Sequence, residues 1–366
     1  MRSDRLHSLL GARGPFVSIY LDDSHNTADA AAQLKARWRD LYKHLENENV
    51  DPTTISRLEV AVLDHRPAVG RRGRIIVATR EQTLLNEQLT TPPPATVLRI
   101  SAYPFVVPLI EFSSQRPTYV VAAVDREGAG VALHQGDTVR THIVEGGGYP
   151  VHKSPAAEND YSHPQLRTEE AIRHNIRAVA DNLIEVVEQS DPEVIFISGE
   201  VRSRTDVVSA LPQRVAARVC QLNAGVYSRE IDDKAVADAI EAEFGRHREA
   251  EIARLTDRFL AERGRHKGLA AEGIPAVCAA LRERNVETLL LGELSEATVI
   301  AAEDRATVAP NPDVLSEWGQ AATLVARADE ALPFAAIAVG ASLAKIHGEM
   351  SPADGIAAIL RYPSTD

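Results

Sequence analysis

Three consecutive glycines, Gly146, Gly147 and Gly148, precede the run Tyr149-Pro150-Val151-His152-Lys153 near the middle of the chain. Glycine loses more backbone entropy on ordering than any other residue, so three in a row indicate a need for unusual backbone freedom or close approach. The tyrosine and histidine rings can stack on exposed RNA bases, and the lysine can pair with a phosphate. The segment predicts a loop that binds structured RNA, and the alternative is a surface loop without a partner.

A second group of candidate residues lies nearer the N-terminus. Arg71, Arg72 and Arg74 surround Gly73, and His25 and Asn26 stand in a polar stretch after the first apolar run. The chain has a net charge of −12, but residues 1–117 hold 15 Lys and Arg against 13 Asp and Glu. A locally basic segment favours contact with phosphates. We therefore expect the three arginines to contact RNA, with His25 and Asn26 as weaker candidates; the alternative is a solvated turn.

Other chemistries receive less support from the residues. Neither G-x-x-x-x-G-K-S/T nor a G-x-G-x-x-G between a strand and a helix occurs, which argues against nucleotide hydrolysis, and no G-x-S-x-G is present. Five histidines lie between positions 134 and 174 without a metal-ligand spacing, so no metal and no cofactor is expected. Asp125, with Glu185 or Asp206, could begin a carboxylate metal site of a nuclease. An aspartate at a strand end is more typical of a turn.

Hydrophobic periodicity defines the elements that would position these residues. Strands are predicted at residues 15–21, 74–79, 118–124, 130–134, 138–144 and 194–198. An edge strand or extended connection is predicted at 103–110. Helices are expected over about 32–47, after Asp51-Pro52, from an N-cap at Thr168, over 205–219, over 232–264 and over 276–283. The strands at 118–124, 130–134 and 138–144 are joined by short turns and predict a meander. Its third strand leads into an irregular loop over 145–165. This alternation indicates an α/β fold in three domains: 1–117, 118–268 and 269–366.

The bulk composition is that of a globular protein, with 44% hydrophobic and 25% charged residues. No apolar run approaches the ~20 residues that span a bilayer, and the N-terminal residues do not form a signal peptide, so we expect a cytoplasmic location. Two cysteines 58 positions apart predict neither a disulfide framework nor a thiolate metal site.

Three features of the chain resemble a known superfamily. They are the three-part plan, the meander that leads to the glycine loop and a helix, and the terminal run Gly355-Ile-Ala-Ala-Ile-Leu-Arg-Tyr362. They are similar to the archaeo-eukaryotic class-1 release factors and Pelota, and within the bacterial branch to actinobacterial relatives of the ribosome hibernation factor Balon. The resemblance implies a three-domain architecture in which each domain is a mixed sheet with packed helices. It implies a central domain like ribonuclease H, and it covers most of residues 118–366.

The resemblance also implies partners. The N-terminal domain would face 16S rRNA at the decoding centre, the glycine loop would enter the peptidyl transferase centre of 23S rRNA, and the C-terminal domain would face elongation factor Tu. In the release factors a glutamine follows the two glycines, whereas Tyr149 follows the glycines here. We therefore predict a non-catalytic factor in the vacant ribosomal A site, without membrane or DNA partners. The alternatives are a peptidyl-tRNA hydrolase that uses His152 and the Asp125 nuclease.

Overall fold

The structure, a computed structural model, describes residues 4–65, 70–112, 116–136, 138–145, 164–223, 234–347 and 350–363. The first elements are β1 (Phe16–Asp22), α1 (Ala30–Asn47), α2 (Pro52–Leu63), β2 (Gly73–Ala78), β3 (Thr83–Leu89), β4 (Val97–Ser101) and α3 (Val107–Phe112). The middle elements are β5 (Tyr119–Val124), β6 (Gly128–Gln135), β7 (Thr138–Glu145), α4 (Pro164–Ser190), β8 (Val194–Gly199), α5 (Val201–Ala210), α6 (Gln213–Ala216), β9 (Val219–Gln221) and α7 (Lys234–Arg263). The last elements are β10 (Ala270–Glu272), α8 (Gly273–Arg282), β11 (Val286–Leu291), β12 (Thr298–Ala301), β13 (Val308–Ala309), α9 (Pro312–Glu317), β14 (Leu324–Arg327), α10 (Ala328–Ala338), β15 (Ser342–Lys345) and β16 (Ile356–Leu360).

These elements form two compact units, and the α/β prediction is confirmed. The first unit joins Met1–Ser114 to Ala250–Asp366, and the second unit is Gln115–Glu249. The two outer parts of the chain thus share one body, although each of them also has a sheet of its own. The division into three domains stays a prediction.

The N-terminal part of the first unit is an antiparallel sheet in the order β3-β2-β1-β4. Side chains alternate between the faces of a strand, and β1 is apolar on both faces, so it is buried on both sides. Val17, Ile19 and Leu21 pack with α1 and α2, whereas Phe16 and Tyr20 belong to the larger core of the unit. The sheet is therefore a rigid base for the loops at its edge.

The C-terminal part of the first unit contains two sheets, in the orders β10-β16-β11-β15 and β13-β12-β14. The strands pair antiparallel except β11 and β15, which are parallel. Helices α8 and α10 supply the apolar residues between the sheets and the N-terminal part, and Val277, Leu332 and Phe334 lie in the same core as Tyr20. Burial of this shared core stabilises the unit.

Arg305 links the two parts of the first unit. Its Nη1 and Nη2 donate to the carbonyl oxygens of Ala12 and Ala102, both at 2.9 Å, and the hydroxyl of Tyr103 donates to the Arg305 carbonyl oxygen at 2.9 Å. Its guanidinium carbon lies 5.2 Å from the Tyr103 ring centroid and 4.8 Å from that of Phe334. Burial lowers the Arg305 pKa. A cation at this depth is stabilised by its carbonyl acceptors and the aromatic faces.

A buried carboxyl group lies in the same region. Glu330 is 2% exposed, and its Oε2 lies 2.6 Å from the Ser101 hydroxyl. That hydroxyl is also 2.8 Å from the Tyr103 carbonyl oxygen. One hydroxyl proton cannot serve two acceptors, but a protonated Glu330 can donate to Ser101 while Ser101 donates to Tyr103. Burial raises the pKa of Glu330, which favours that protonated form.

The second unit is a five-stranded sheet in the order β7-β6-β5-β8-β9. The meander β5-β6-β7 is antiparallel, as predicted, and β5, β8 and β9 run parallel. Helix α4 packs on one face through the predicted apolar stripe, with Ile176, Val179 and Leu183 buried, while Arg173 and Arg177 are exposed. Helix α7 contributes Val236 and Ile240 to the opposite face. The sheet thereby fixes the strand that precedes the glycine loop.

Several local predictions were wrong. Residues 107–112 form α3, because Pro108 lies in the first turn, where its missing N–H costs nothing. Helix α4 begins at Pro164, so Thr168 is not its N-cap. The helix expected over 205–219 is instead α5, α6 and strand β9, with Pro212 between the two helices. The sequence pattern also missed β3 and β4.

Candidate functional site

The structure brings together two of the segments that were predicted to contact RNA. Beyond the last pair of the β1–β2 ladder, the Asp23 N–H donates to the Arg72 carbonyl oxygen, and the His25 N–H donates to that of Gly70, both at 2.9 Å. Residues 22–26 and 70–74 therefore continue as a short antiparallel ribbon, which we call the arginine ribbon. Gly70 has a φ of 106°, in the region that favours glycine.

Asp23 is the anchor of the arginine ribbon. It is 1% exposed, and its Oδ2 accepts from the Arg74 Nε at 2.9 Å and from the His65 Nε2 at 3.0 Å. Arg74 also donates to the Asn86 Oδ1 at 2.7 Å. A buried carboxylate needs a cation and hydrogen-bond donors to offset its desolvation, and Arg74 supplies both. The prediction that Arg74 contacts RNA is therefore corrected: its 5% exposed side chain braces the ribbon from within.

The two histidines beside Asp23 have defined tautomers. A carbonyl oxygen can only accept, so the His25 Nδ1, which lies 2.9 Å from the Asp23 carbonyl oxygen, must be the protonated nitrogen. The His65 Nε2 faces a carboxylate oxygen and is likewise the donor. Their rings meet edge to face with centroids 6.4 Å apart. Sequence reasoning missed His65, because nothing near it in the chain signals a partner 42 positions upstream.

Arg71 and Asn26 form the outward surface of the arginine ribbon, where both side chains are exposed. Arg72 is partly buried and donates from Nη1 to the Thr90 carbonyl oxygen at 3.3 Å. Of the three predicted arginines, Arg71 is thus the one that is most accessible to a phosphate. A guanidinium on a fixed backbone can bind a phosphate through two parallel hydrogen bonds.

Asp22 sets the local charge next to Arg71. Burial opposes its ionisation, but the hydrogen bonds from Ser24 and the charges of Arg37 and Arg71 outweigh that effect and lower the pKa of Asp22. Arg37 donates from Nη2 to the Asp22 Oδ2 at 3.1 Å. Asp22 is therefore ionised and paired at neutral pH, and Arg37 rather than Arg71 is its direct partner.

The predicted loop contacts Gly146, Gly147, Gly148, Tyr149, Pro150, Val151, His152 and Lys153 lie outside the described residues. The strand that leads to them, β7, is the edge strand of its sheet, and Val139 and Ile143 on it are exposed. Asp125 is a turn residue: its Oδ1 accepts from the N–H groups of Glu127 and Gly128 at 2.7 and 2.9 Å. In the described ranges, no three His, Cys, Asp or Glu side chains are grouped so as to hold a metal ion. Within the same ranges, no helix has an apolar stretch that could cross a membrane.

Comparison with known proteins defines the family. The family model described as "Bacterial archaeo-eukaryotic release factor family 2" matches residues 118–265, which contain the sheet of the second unit and helix α7. Two Mycobacterium tuberculosis proteins match the whole chain: "Uncharacterized protein MT2704" of strain CDC 1551 / Oshkosh and "Uncharacterized protein Rv2629" of strain ATCC 25618 / H37Rv. Each is 55% identical over 367 residues, which is 100% of this chain and 98% of the relative. The chain belongs, with these relatives, to the bacterial branch of the release factor and Pelota superfamily.

Solved structures of that superfamily are also similar to this chain. The archaeal translation termination factor aRF1 has 16% sequence identity and a TM-score of 0.27, covering 98% of this chain and 97% of its own. Pelota of Archaeoglobus fulgidus has 16% identity and a TM-score of 0.37, covering 81% of this chain and 86% of its own.

Proposed function

We propose that this protein is a non-catalytic ribosome-binding factor that occupies the vacant A site and preserves inactive ribosomes during stress or stationary phase. One observation carries the proposal: the arginine ribbon holds Arg71 and Asn26 outward on a base fixed by the buried pair of Asp23 and Arg74. A preorganised cationic surface binds phosphates with little loss of side-chain freedom. Membership of a release factor family supports the ribosome as the partner of that surface.

In this proposal the arginine ribbon contacts 16S rRNA near the decoding centre, and Gly146 to Lys153 contact 23S rRNA at the peptidyl transferase centre. The residue after the glycines is Tyr149, which can stack on a base but has no amide to orient a water molecule. The loop therefore supplies contact where a release factor supplies chemistry. The C-terminal part is proposed to meet elongation factor Tu, as in hibernation factors of the Balon type.

Binding to vacant ribosomes tests the proposal. Purified protein should co-sediment with empty 70S ribosomes at moderate salt, and a tRNA in the A site should displace it. Arg71→Gln combined with Asn26→Ala should weaken this binding on the order of 10-fold, because one charged and one neutral hydrogen-bonding contact are lost. Arg80→Gln is the matched control, since Arg80 is an exposed arginine that follows the opposite end of β2.

The outcomes separate the proposal from its alternatives. If the protein does not sediment with ribosomes at moderate salt, or if bound tRNA does not compete with it, A-site occupancy is wrong. Release of labelled peptide from stalled ribosomes, abolished by His152→Ala, would instead make the protein a peptidyl-tRNA hydrolase. Cryo-electron microscopy of ribosomes from resting cells then decides where the bound protein lies.

A further inference from the structure

A groove in the second unit has the chemistry of a second nucleic-acid contact. It lies between the N-terminal half of α4 and helix α5, and it has a volume of about 490 Å³. Four arginines line it: Arg126, Arg173, Arg177 and Arg202. Arg126 follows β5 and α5 follows β8, so the groove opens at the carboxyl ends of two parallel strands, where open α/β sheets most often bind ligands.

One of the four arginines is fixed by its neighbours. Arg126 donates from Nε and Nη2 to the two carboxylate oxygens of Glu200, at 3.0 and 2.7 Å. The Arg126 carbonyl oxygen accepts from the Nδ2 of Asn175, which is 2% exposed, at 2.9 Å. A planar guanidinium that uses one edge on a carboxylate keeps its remaining N–H groups for a second acceptor. Arg126 is thus a preorganised cation at the end of the groove.

Arg173 and Arg177 differ from Arg126 in having an open environment. Both are exposed, and neither forms an ion pair with any residue in the described part of the chain. They lie four positions apart on α4, so their side chains project from the same face with Cβ atoms about 5–6 Å apart. Two neighbouring guanidinium groups can each take one phosphate of a single strand.

The charge balance and the apolar lining favour a polyanion over a small acidic ligand. Glu169 and Asp206 also line the groove, and Glu200 pairs with Arg126. These three carboxylates offset three of the four arginine charges, so the groove keeps a small positive excess. A lone phosphate would gain little from that excess, whereas an extended backbone can contact Arg173 and Arg177 at the same time. Ile172, which is partly exposed, also lines the groove and offers an apolar surface to ribose.

We infer that this groove binds the phosphodiester backbone of RNA, with Arg173 and Arg177 as phosphate ligands and Arg126 as a fixed third cation. The inference rests on the proposed function, because α4 directly follows the loop that is proposed to contact 23S rRNA. Arg173 lies nine residues after the start of α4, which is about 13 Å along the helix. The groove would extend the large-subunit contact from the loop to the body of the second unit.

Salt dependence of binding tests the inference. Wild type, Arg173→Gln/Arg177→Gln and the control Arg214→Gln would be compared in two assays: sedimentation with empty 70S ribosomes, and binding to a transcript of the peptidyl transferase region of 23S rRNA. Arg214 is an exposed arginine that pairs with Glu188, which lies eleven residues beyond Arg177 on α4. Both variants should keep wild-type folding by circular dichroism, since the substituted side chains are exposed.

Loss of two phosphate contacts should weaken binding at least 10-fold and reduce the slope of log K against log salt by about 2, while the control stays at the wild-type values. Unchanged slopes for the double variant would overturn the groove. Displacement of the transcript by millimolar inorganic phosphate or by polyglutamate as well as by unlabelled RNA would overturn the RNA assignment. If wild type binds the transcript but not ribosomes, the proposed function is wrong. The transcript assay then still tests whether the groove binds RNA, through the comparison of wild type with the double variant.

Discussion

Substitution of Arg74 by methionine should destabilise the first unit strongly, because the buried carboxylate of Asp23 would lose its cation. Arg74 and Asp23 are 5% and 1% exposed, and their Nε and Oδ2 atoms lie 2.9 Å apart. Removal of one partner of a buried ion pair costs about 3–5 kcal/mol, since the remaining charge stays buried without compensation. Among the described residues, only His65 would still donate a hydrogen bond to the carboxylate.

Tryptophan fluorescence measures this effect in the correct unit. The chain has two tryptophans, Trp38 and Trp318, and both belong to the first unit. Urea unfolding followed at their emission therefore reports the unit that contains Arg74, even though a protein of two units need not unfold in one step. For a unit of this size each kcal/mol corresponds to roughly 2–4 °C of melting temperature, so a loss of 3–5 kcal/mol predicts a melting temperature lower by about 6–20 °C.

A double-mutant cycle makes the reasoning refutable. The double variant Asp23→Asn/Arg74→Met should lose about 1–3 kcal/mol less stability than the sum of the losses in the two single variants. Each single variant leaves one buried charge without its partner, whereas the double variant leaves none. Arg71→Gln is the exposed control and should stay within about 0.5 kcal/mol of wild type. If Arg74→Met is as stable as that control but loses ribosome binding, Arg74 is a contact residue and its role as a brace is wrong.

Burial raises the pKa of Glu330, so ionisation of this group opposes folding. The free energy of unfolding should therefore fall as the pH rises from about 4.3 through the raised pKa, by at most about 1.4 kcal/mol per pH unit. Glu330→Gln should remove that part of the pH dependence in urea titrations followed by tryptophan fluorescence. Arg305→Ala should cost about 3–5 kcal/mol in the same assay, because two backbone carbonyls lose a charged donor and three rings lose their cation. Gly199→Ala should destabilise the second unit by at least about 2 kcal/mol, since Gly199 has a φ of 111° and a Cβ there would lie 2.1 Å from the Val124 carbonyl oxygen. The second unit has no tryptophan, so this loss should be measured by amide hydrogen exchange of β5 and β8.

Local periodicity predicted the elements whose own residues decide their structure. The stripe of Ile176, Val179 and Leu183 predicted the buried face of α4, and the polar row of Arg173 and Arg177 predicted its exposed face. Strands β3 and β4 were missed because their exposed and buried residues do not alternate cleanly. Pattern reasoning identifies an element when one face is consistently buried, and edge strands often lack such a face.

The candidate site could be predicted only in part. Arg71 is exposed, as expected of an arginine in a glycine-containing turn, and its contact with RNA stays a prediction. Arg74 was not distinguished from it, because the partner that buries Arg74 is Asp23, which lies 51 positions upstream. The β1–β2 register, which sets Asp22 opposite Gly73, creates that pair. A pairing over such a distance is a tertiary property, and the composition of neither segment reveals it.

Pairing with carboxylates also determines how many cations of this acidic protein can act on RNA. Arg74 and Arg126 are held by Asp23 and Glu200. Arg126 can still donate its remaining N–H groups to a phosphate, but a cation that is already neutralised releases few phosphate counterions on binding. If Arg71, Lys153, Arg173 and Arg177 are the effective contacts, the slope of log K against log salt should be about −3 to −4 for RNA, at 0.7–0.9 per contact. A measured slope steeper than about −6 would mean that the carboxylate pairs open on binding. A slope near −1 would mean that the arginine ribbon and the groove do not bind RNA together.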